Sequence, residues 1–195
     1  MKSLLKLSNL IDRMSEGVGK VIMWLILAAV LISAGNAIAR KAFRVGSNAL
    51  LDMQWYLFSG VFLLGAGYAF LKNVHVRIDF VSSRLTPRTR SWIDVIGILF
   101  FLAPLCGFLI QMGWPLFVNA WQSGEMSQNA GGLIRWPVYL LVPLGMVLLL
   151  LQSVSELIKR FAFLRGLIPD PLAHHQVGND SPAAALTDDP ASEVR

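Results

Sequence analysis

The short segment "HVRID" holds the residues of this sequence with the most chemical potential. His75, Arg77 and Asp79 alternate there with apolar residues, just after a long apolar run that stops at Lys72. A histidine, an arginine and an aspartate at alternate positions could form a catalytic or ion-binding cluster. Alternation of this kind is also typical of a half-buried β-strand. The segment could therefore be a site, a strand or a connector, and the elements around it must distinguish these alternatives.

Other residues suited to catalysis or to cofactor binding are few. Haem needs axial ligands, typically histidines that face each other, but the two remaining histidines, His174 and His175, are adjacent near the end of the chain. Cys106 is the single cysteine, which excludes an internal disulfide and a dithiol relay. The sequence contains no glycine-rich phosphate loop, nucleophile elbow or metal-spaced cluster. We therefore predict no catalysis, no cofactor and no metal, and a membrane-bound redox subunit is a poor alternative.

Four apolar stretches dominate the chain. Hydrophobic residues make up 55% of it and charged residues 15%, whereas soluble domains carry about a quarter charged residues. The stretches lie at about 21–39, 53–71, 92–118 and 136–157, and each is close to or above the ~20 residues that cross a bilayer as a helix. The pattern predicts an all-α integral membrane protein with four transmembrane helices.

The cations between these stretches predict the topology. Twelve Lys and Arg residues fall on one side of the predicted membrane: Lys2, Lys6, Arg13, Lys20, Lys72, Arg77, Arg84, Arg88, Arg90, Lys159, Arg160 and Arg165. Four fall on the other side: Arg40, Lys41, Arg44 and Arg135. Because Lys and Arg accumulate on the cytoplasmic side, we predict cytoplasmic N and C termini. The net charge of +5 is thus explained by topology and does not indicate a nucleic-acid partner.

The two ends of the chain differ from the predicted transmembrane domain, residues 21–165. Within residues 1–20, an apolar helical stripe lies opposite three basic residues; the stripe is Leu4, Leu7, Leu10, Ile11 and Met14, and the basic residues are Lys2, Lys6 and Arg13. This amphipathic pattern predicts a short helix on the cytoplasmic membrane surface. Residues 166–195 are rich in Pro, Ala, Asp and Ser without periodicity, which predicts a disordered cytoplasmic tail.

The start of the chain also resembles a signal peptide, because basic residues and an apolar run precede the small residues Ala37-Ile38-Ala39. Such a leader would be unusually long. Ala29, Ser33 and Ala37 also form a small-residue face suited to close helix packing. We therefore interpret this segment as a retained first span.

Ionisable residues inside a membrane span indicate function by default, and here they all lie at span ends or in loops. A proton- or cation-coupled carrier usually needs a buried carboxylate, and small four-helix exporters use one in the first span, where this sequence has none. What remains are surfaces for a partner protein or for lipid headgroups. The candidate contact residues at the predicted outer side are Asp52, Gln54, Trp55, Glu125, Arg135 and Trp136.

The opening segment lies, on this topology, at the cytoplasmic membrane surface between spans 2 and 3. A lone strand there would have unpaired edges, so we predict an extended connector that leads into a short surface helix at about 79–85. Arg77 and Asp79 are then predicted to anchor this connector to headgroups or to a neighbouring helix end, and His75 to be an interfacial residue. "TPRTRSWID" predicts the start of span 3, with Thr86 as cap and Pro87 in the first turn. Pro104 and Pro115 are predicted kinks within that span.

Two longer stretches resemble a known family. "LDMQWYLFSGVFLLGAGYAFLKNVHVRIDF" and, after it, "WQSGEMSQNAGGLIRWPVYLLVPLGMVLLLLQ" are similar to the small membrane subunit (DctQ-like) of tripartite ATP-independent periplasmic (TRAP) transporters. The resemblance covers about residues 20–165. Its strongest parts are the polar start of span 2, the Gly- and Ala-rich middle with "HVRID" after it, and the "SGE…WP…PLG" pattern that leads into span 4.

The resemblance implies a multi-pass protein of the bacterial inner membrane that pairs with a large multi-span permease subunit. A periplasmic binding protein delivers the substrate in such systems, which import organic acids with a sodium gradient. The small subunit is implied to be a non-catalytic scaffold for the permease. Many members have a glutamate near the start of span 2, where this chain has Asp52-Met53-Gln54. The alternative, from another class, is a self-contained four-helix carrier or channel that acts as an oligomer.

Overall fold

The computed structural model describes residues 2–43, 46–72 and 86–167. The helices are α1 (Lys2–Phe43), α2 (Asn48–Leu71), α3 (Pro87–Gly97), α4 (Ala103–Ser123) and α5 (Trp136–Leu164), and a π-helical segment (Ile98–Leu102) joins α3 to α4 without a break. Four helical units are long and apolar enough to cross a membrane, the third being Pro87–Ser123. The described ranges contain no β-strand. The prediction of an all-α membrane protein with four spans is confirmed, and the cytoplasmic position of the termini stays a prediction.

The boundaries of span 3 follow from local sequence. The Thr86 side chain accepts a hydrogen bond from the backbone N–H of Thr89 at 3.3 Å, and Pro87 occupies the first turn, where its missing N–H costs nothing. This confirms the predicted helix start. At the other end, α4 stops at Gly124, whose φ of 62° lies in the left-handed region that glycine adopts without strain.

Pro104 explains the π-helical segment in the middle of span 3. A proline ring clashes with the carbonyl four residues earlier and offers no N–H to it. The backbone widens just before Pro104, and the N–H of Ala103 donates to the carbonyl of Ile98, five residues back. The predicted disturbance at Pro104 therefore takes the form of a π turn within a continuous helical span.

The helices pack around a central pair formed by α2 and α5. Helix α1 packs against both, whereas α4 packs against α5. The central pair runs parallel and approaches closely: a Cβ atom on Gly145 would lie 2.5 Å from the backbone oxygen of Leu63, and one on Gly67 would lie 3.3 Å from that of Leu148. Close backbone contact through small residues is how membrane helices gain packing energy in the absence of a hydrophobic drive.

The N-terminal segment differs from the sequence expectation in one respect. Residues 2–20 are helical, but they form the first part of α1 and not a separate helix. With 42 residues, α1 is about 63 Å long, roughly twice the thickness of the hydrocarbon core. The polar face of the segment packs against α5, as described below. Its placement relative to the membrane surface stays a prediction.

Candidate functional site

Two polar clusters lie at opposite ends of the bundle, and we name them after the predicted topology. The outer cluster comprises Asn48, Asp52, Tyr56, Glu125, Ser127, Asn129 and Arg135. The inner cluster comprises Asp12, Glu16, Lys72, Asp94, Glu156, Lys159 and Arg160.

The outer cluster is built on the loop between α4 and α5. The two arms of this loop pair at an isolated β-bridge between Met126 and Ile134. Backbone hydrogen bonds flank the bridge, from the Ser127 N–H to Leu133 O at 2.8 Å and from the Arg135 N–H to Glu125 O at 2.9 Å. The loop is therefore an ordered hairpin-like turn.

Asp52 fastens this loop to α2. Its carboxylate accepts a hydrogen bond from the Asn129 side-chain amide at 2.8 Å and another from the Leu133 backbone N–H at 3.2 Å. The residue is 6% exposed. A Cβ atom on Gly132 would lie 2.6 Å from the same carboxylate, so only glycine lets the loop approach this closely. Tyr56 adds a second tether, donating from its hydroxyl to Ile134 O at 3.0 Å.

Glu125 and Arg135 close the base of the loop. Arg135 Nη1 lies 2.7 Å from Glu125 Oε1, and both side chains are partly exposed. The hydrogen bond that Arg135 donates to Glu125 raises the pKa of Arg135 above its ordinary value, so the arginine is charged at physiological pH. An exposed pair of this kind contributes little stability by itself. Glu125 and Arg135, two of the residues predicted to contact a partner, thus form an ion pair with each other.

The predicted aromatic residues lie on both sides of the outer cluster. Trp136 packs edge to face on Trp121, with ring centroids 4.7 Å apart, and also contacts Phe117. Trp55 is 67% exposed and meets the edge of Phe58. Exposed indole rings at helix ends are typical of the interface between hydrocarbon and water.

Gln54 does not join the outer cluster. It lines a separate groove between α1 and α2, together with Phe58 and the small residues Ala29, Ser33 and Ala37. The small-residue face of span 1 is therefore open along this groove. On α2, by contrast, Gly67 packs inside the bundle.

The inner cluster joins all four spans by ion pairs. Lys72, directly after α2, lies 3.0 Å from Glu16 of α1. Lys159 of α5 lies 2.7 Å from Asp12 of α1 and 2.8 Å from Glu156 of its own helix. The hydrogen bond that Lys72 donates to Glu16 raises the pKa of Lys72, which keeps this lysine charged at neutral pH.

Arg160 extends the same cluster to span 3. Its Nη2 lies 3.3 Å from Asp94 Oδ2 of α3 and 3.8 Å from Glu156 Oε2. The Arg160 side chain is 2% exposed and that of Glu156 is 7% exposed. A buried guanidinium between two carboxylates links α5 to α3 at the point where span 3 begins.

Hydrogen bonds continue the contact between α1 and α5. The Ser8 and Ser155 hydroxyls are 2.7 Å apart, and the Ser15 hydroxyl donates to Gln152 Oε1 at 2.6 Å. Gln152 in turn donates from Nε2 to Asp12 at 3.0 Å. These serine and glutamine residues are buried, so the polar face of the first part of α1 is an internal packing surface.

The two clusters are separated by about the thickness of a membrane. Asp52 and Lys72 lie twenty residues apart on α2, and at 1.5 Å per residue this is ~30 Å, the thickness of the hydrocarbon core. Between the clusters, spans 2, 3 and 4 contain no Asp, Glu, Lys, Arg or His, and span 1 contains none between Lys20 and Arg40. Within the described ranges, no group of three or more His, Cys, Asp or Glu residues could hold a metal ion.

The remaining predicted site residues lie elsewhere. His75, Arg77 and Asp79 fall outside the described residues, as do the predicted surface helix at 79–85 and the tail from residue 168. Their predicted roles stay predictions. The contacts described above for Asp52, Trp55, Glu125, Arg135 and Trp136 are within the chain, and contacts to a partner or to headgroups also stay predictions.

Removing the Asp52 carboxylate is expected to release the outer loop. In Asp52→Ala, the Asn129 amide and the Leu133 N–H lose their acceptor, which costs about 1–3 kcal/mol for buried groups. Since 1.4 kcal/mol is a factor of ten in an opening equilibrium, we expect hydrogen exchange across residues 127–135 to become roughly tenfold faster. Mass spectrometry of deuterated peptides from this loop measures the change.

The matched control is Gln54→Ala, two residues along the same helix, which should leave exchange in the loop at its wild-type rate. Equal exchange rates in Asp52→Ala and wild type would show that Asp52 does not hold the loop.

These features define a class: an integral membrane protein of four spans, tied at both ends and apolar in between. The chain belongs to the family of DctQ components of tripartite ATP-independent periplasmic transporters, whose family model matches residues 29–163. It is therefore a membrane component of a TRAP transporter. No curated protein and no solved structure matches the chain.

Proposed function

We propose that this chain is a non-catalytic scaffold subunit of its TRAP transporter. In this proposal it braces the large multi-span permease subunit while that subunit imports an organic acid with a sodium gradient. A periplasmic binding protein delivers the acid. The chain itself carries neither the substrate nor the coupling ion.

The distribution of polar groups supports this proposal most directly. Carriers place ionisable side chains near the bilayer centre, where substrate and ions bind. Here the carboxylates of the described ranges lie in two clusters about 30 Å apart, where they accept hydrogen bonds or form ion pairs within the chain. These clusters link the helices to one another and leave the centre of the bundle apolar. Such an arrangement suits a rigid scaffold subunit.

A brace must also offer large surfaces to its partner. Bulky apolar side chains on α1 and on span 3 are exposed, with Trp24 74% and Phe101 75% accessible. Both spans lie at the edges of the bundle, on either side of the central pair. In a membrane these faces contact either lipid or another subunit, and a scaffold uses part of them for the permease.

The outer cluster suits a second contact, with the binding protein. Asp52 and Tyr56 fix the loop, and next to it lies an open cavity of about 340 Å³ lined by Trp55, Ser59 and Tyr139 among others. A fixed loop loses little conformational entropy when a partner binds. We propose that this face helps to dock the binding protein.

Reconstitution in liposomes tests the scaffold proposal. We expect sodium-dependent uptake of the organic acid when the chain, the permease and the binding protein are all present. We expect none with the chain alone, and at least tenfold less when the permease and binding protein are supplied without the chain. Uptake by the chain alone would favour the self-contained carrier or channel. Undiminished uptake without the chain would refute a bracing role.

A stability measurement supplies an independent readout. A partner that binds only the folded permease raises its unfolding temperature by mass action. We therefore expect the purified permease to unfold at a higher temperature with the chain than alone. An equal amount of an unrelated four-span protein is the control, and an identical shift from that control would count against the proposal.

A further inference from the structure

The first third of α1 exposes an apolar stripe to its surroundings. Leu7 is 46% exposed, Leu10 58% and Met14 49%, although Ser8 and Ser15 on the other side are buried against α5. The packed side of this segment thus contains Ser8, Ser15 and one residue of the predicted stripe, Ile11, which is 7% exposed, whereas Leu7, Leu10 and Met14 face outward. An exposed apolar surface bordered by charge marks a site of interaction.

A row of cations borders this stripe. Lys6, Arg13 and Lys20 recur every seven residues and are exposed. Within the described ranges, none of them takes part in an ion pair. The acidic residues of α1 in this region, Asp12 and Glu16, are paired with Lys159 and Lys72.

The spacing matches that of a helix that docks another helix. Leu7 and Met14 share the seven-residue repeat of the cations, and Leu10 lies three residues after Leu7. Apolar residues at the a and d positions of a heptad form a seam for a partner helix, and charged residues beside the seam select a partner of opposite charge. On this register the cations occupy the g positions.

The N-terminal part of the stripe, at Leu7, lies farther from the hydrocarbon core than the lipid headgroup layer extends. Glu16, paired with Lys72, marks the inner edge of the hydrocarbon core. Leu7 precedes it by nine residues, which is ~14 Å along the helix. The headgroup layer on each side is only about 5–8 Å thick. Lipid can thus cover Met14, whereas Leu7 needs protein.

A second copy of this chain does not suit the stripe. Its α1 would present the same cations, and like charges beside a helix seam repel. The carboxylates that could neutralise them, Asp12 and Glu16, are held by lysines of the same chain. The complementary partner is a helix with an apolar face and an acidic edge.

We infer that the stripe of Leu7, Leu10 and Met14, with its border of Lys6 and Arg13, docks an acidic-edged helix of the large membrane subunit on the cytoplasmic side. This inference rests on the proposed function, since it takes the permease as the partner. Beyond the proposed function, the inference specifies which face of this chain binds the permease, the charge of the partner helix, and the side of the membrane on which the two helices make contact.

Photo-crosslinking in membranes that contain the full transporter tests the inference. The probe is p-benzoylphenylalanine in place of Leu7, Leu10 or, as control, Asn9, which is exposed but lies off the stripe, beyond the row of cations. We expect covalent adducts with the large subunit from positions 7 and 10, at least fivefold above position 9. Adducts only with phospholipid, adducts with a second copy of this chain, or equal yields at all three positions would overturn the inference.

Charge removal tests the role of the cations. Lys6→Gln with Arg13→Gln should lower the crosslinking yield at position 10 at least fivefold. The control, Arg88→Gln with Arg165→Gln, removes the same charge from exposed residues on the same predicted side and should change the yield less than twofold. Equal losses in both pairs would overturn the selective role of Lys6 and Arg13.

Co-purification of the wild-type chain with the large subunit separates the two proposals. If the wild-type chain does not co-purify, the scaffold proposal itself fails. If it does co-purify and positions 7 and 10 crosslink no better than position 9, only the docking surface is wrong.

Discussion

Arg160→Ala is expected to cause one of the two largest losses of stability of any single substitution in this chain. The guanidinium is 2% exposed and lies 3.3 Å from Asp94 and 3.8 Å from Glu156. Its removal takes a buried cation away from Asp94 and Glu156, the second of which keeps Lys159 as a partner, and breaking a buried ion pair costs about 3–5 kcal/mol. For a chain of this length we expect the unfolding temperature in detergent to fall by roughly 10 °C.

Arg165→Ala is the matched control, because Arg165 directly follows α5 and is exposed. It should unfold within about 1–2 °C of wild type, a shift that corresponds to the ±0.5 kcal/mol expected of surface substitutions. Arg160→Lys keeps the charge but loses the guanidinium whose Nη2 lies near both carboxylates, and it should fall between the two alanine variants. If Arg160→Ala proves as stable as Arg165→Ala, the inner cluster does not hold span 3 in place.

Gly145→Ala is the second substitution with a large expected effect. The added Cβ would lie 2.5 Å from Leu63 O and 2.8 Å from the Leu63 carbonyl carbon, a clash with rigid backbone. The central helices must separate, which reduces their packing along the whole contact. Overpacking costs about 1–3 kcal/mol, and we expect a fall of roughly 5–10 °C in unfolding temperature and a larger hydrodynamic radius.

Gly107→Ala separates the clash from the general effect of losing a glycine. A Cβ atom at Gly107 meets nothing within 4 Å, and alanine favours a helix by about 0.5–1 kcal/mol over glycine. This variant should be as stable as wild type or slightly more so. If both glycine variants behave alike, close contact between α2 and α5 is not what positions the central pair.

The four spans could be predicted because each depends on a local property. Length and hydropathy identify a transmembrane helix wherever it packs, and the start of span 3 follows from Thr86 and Pro87 alone. The disturbance near Pro104 was also predictable, since a proline acts on the carbonyl four residues before it. Its form, a π turn at Ile98–Leu102, depends in addition on how the neighbouring turns share the strain.

The polar clusters could not be predicted from the sequence, because their members are far apart in the chain. Asp12 and Lys159 meet only when α1 packs on α5, and Asp52 reaches Asn129 only when the outer loop folds back. Hydropathy placed Asp52 and Glu156 at span ends, but it contains no information on partners. The sequence thus identified the carboxylates and their positions at span ends, but not the residues with which they pair.

The first part of α1 shows a limit of amphipathic patterns. A helix with one apolar and one polar face can lie on a membrane or pack against another helix, and the pattern is the same for both. The sequence signal that distinguishes them here is weak: the polar face contains Ser8 and Ser15, small residues that permit a close approach to α5. A surface helix would instead favour long charged side chains on that face.

The position of α5 in the bundle has a consequence for biosynthesis. It contacts α1, α2, α3 and α4, yet it is the last of the spans to leave the ribosome. Until it is inserted, α2 lacks its closest neighbour and the polar side chains of Ser8 and Asp12 lack their acceptors and cation. Spans 1 and 2 can already pack on each other, whereas span 3 makes its main contacts with α5 and has to wait for it. Assembly of the four described spans is completed by α5, so a chain whose synthesis stops before α5 would lack the contacts that join span 3 to spans 1 and 2.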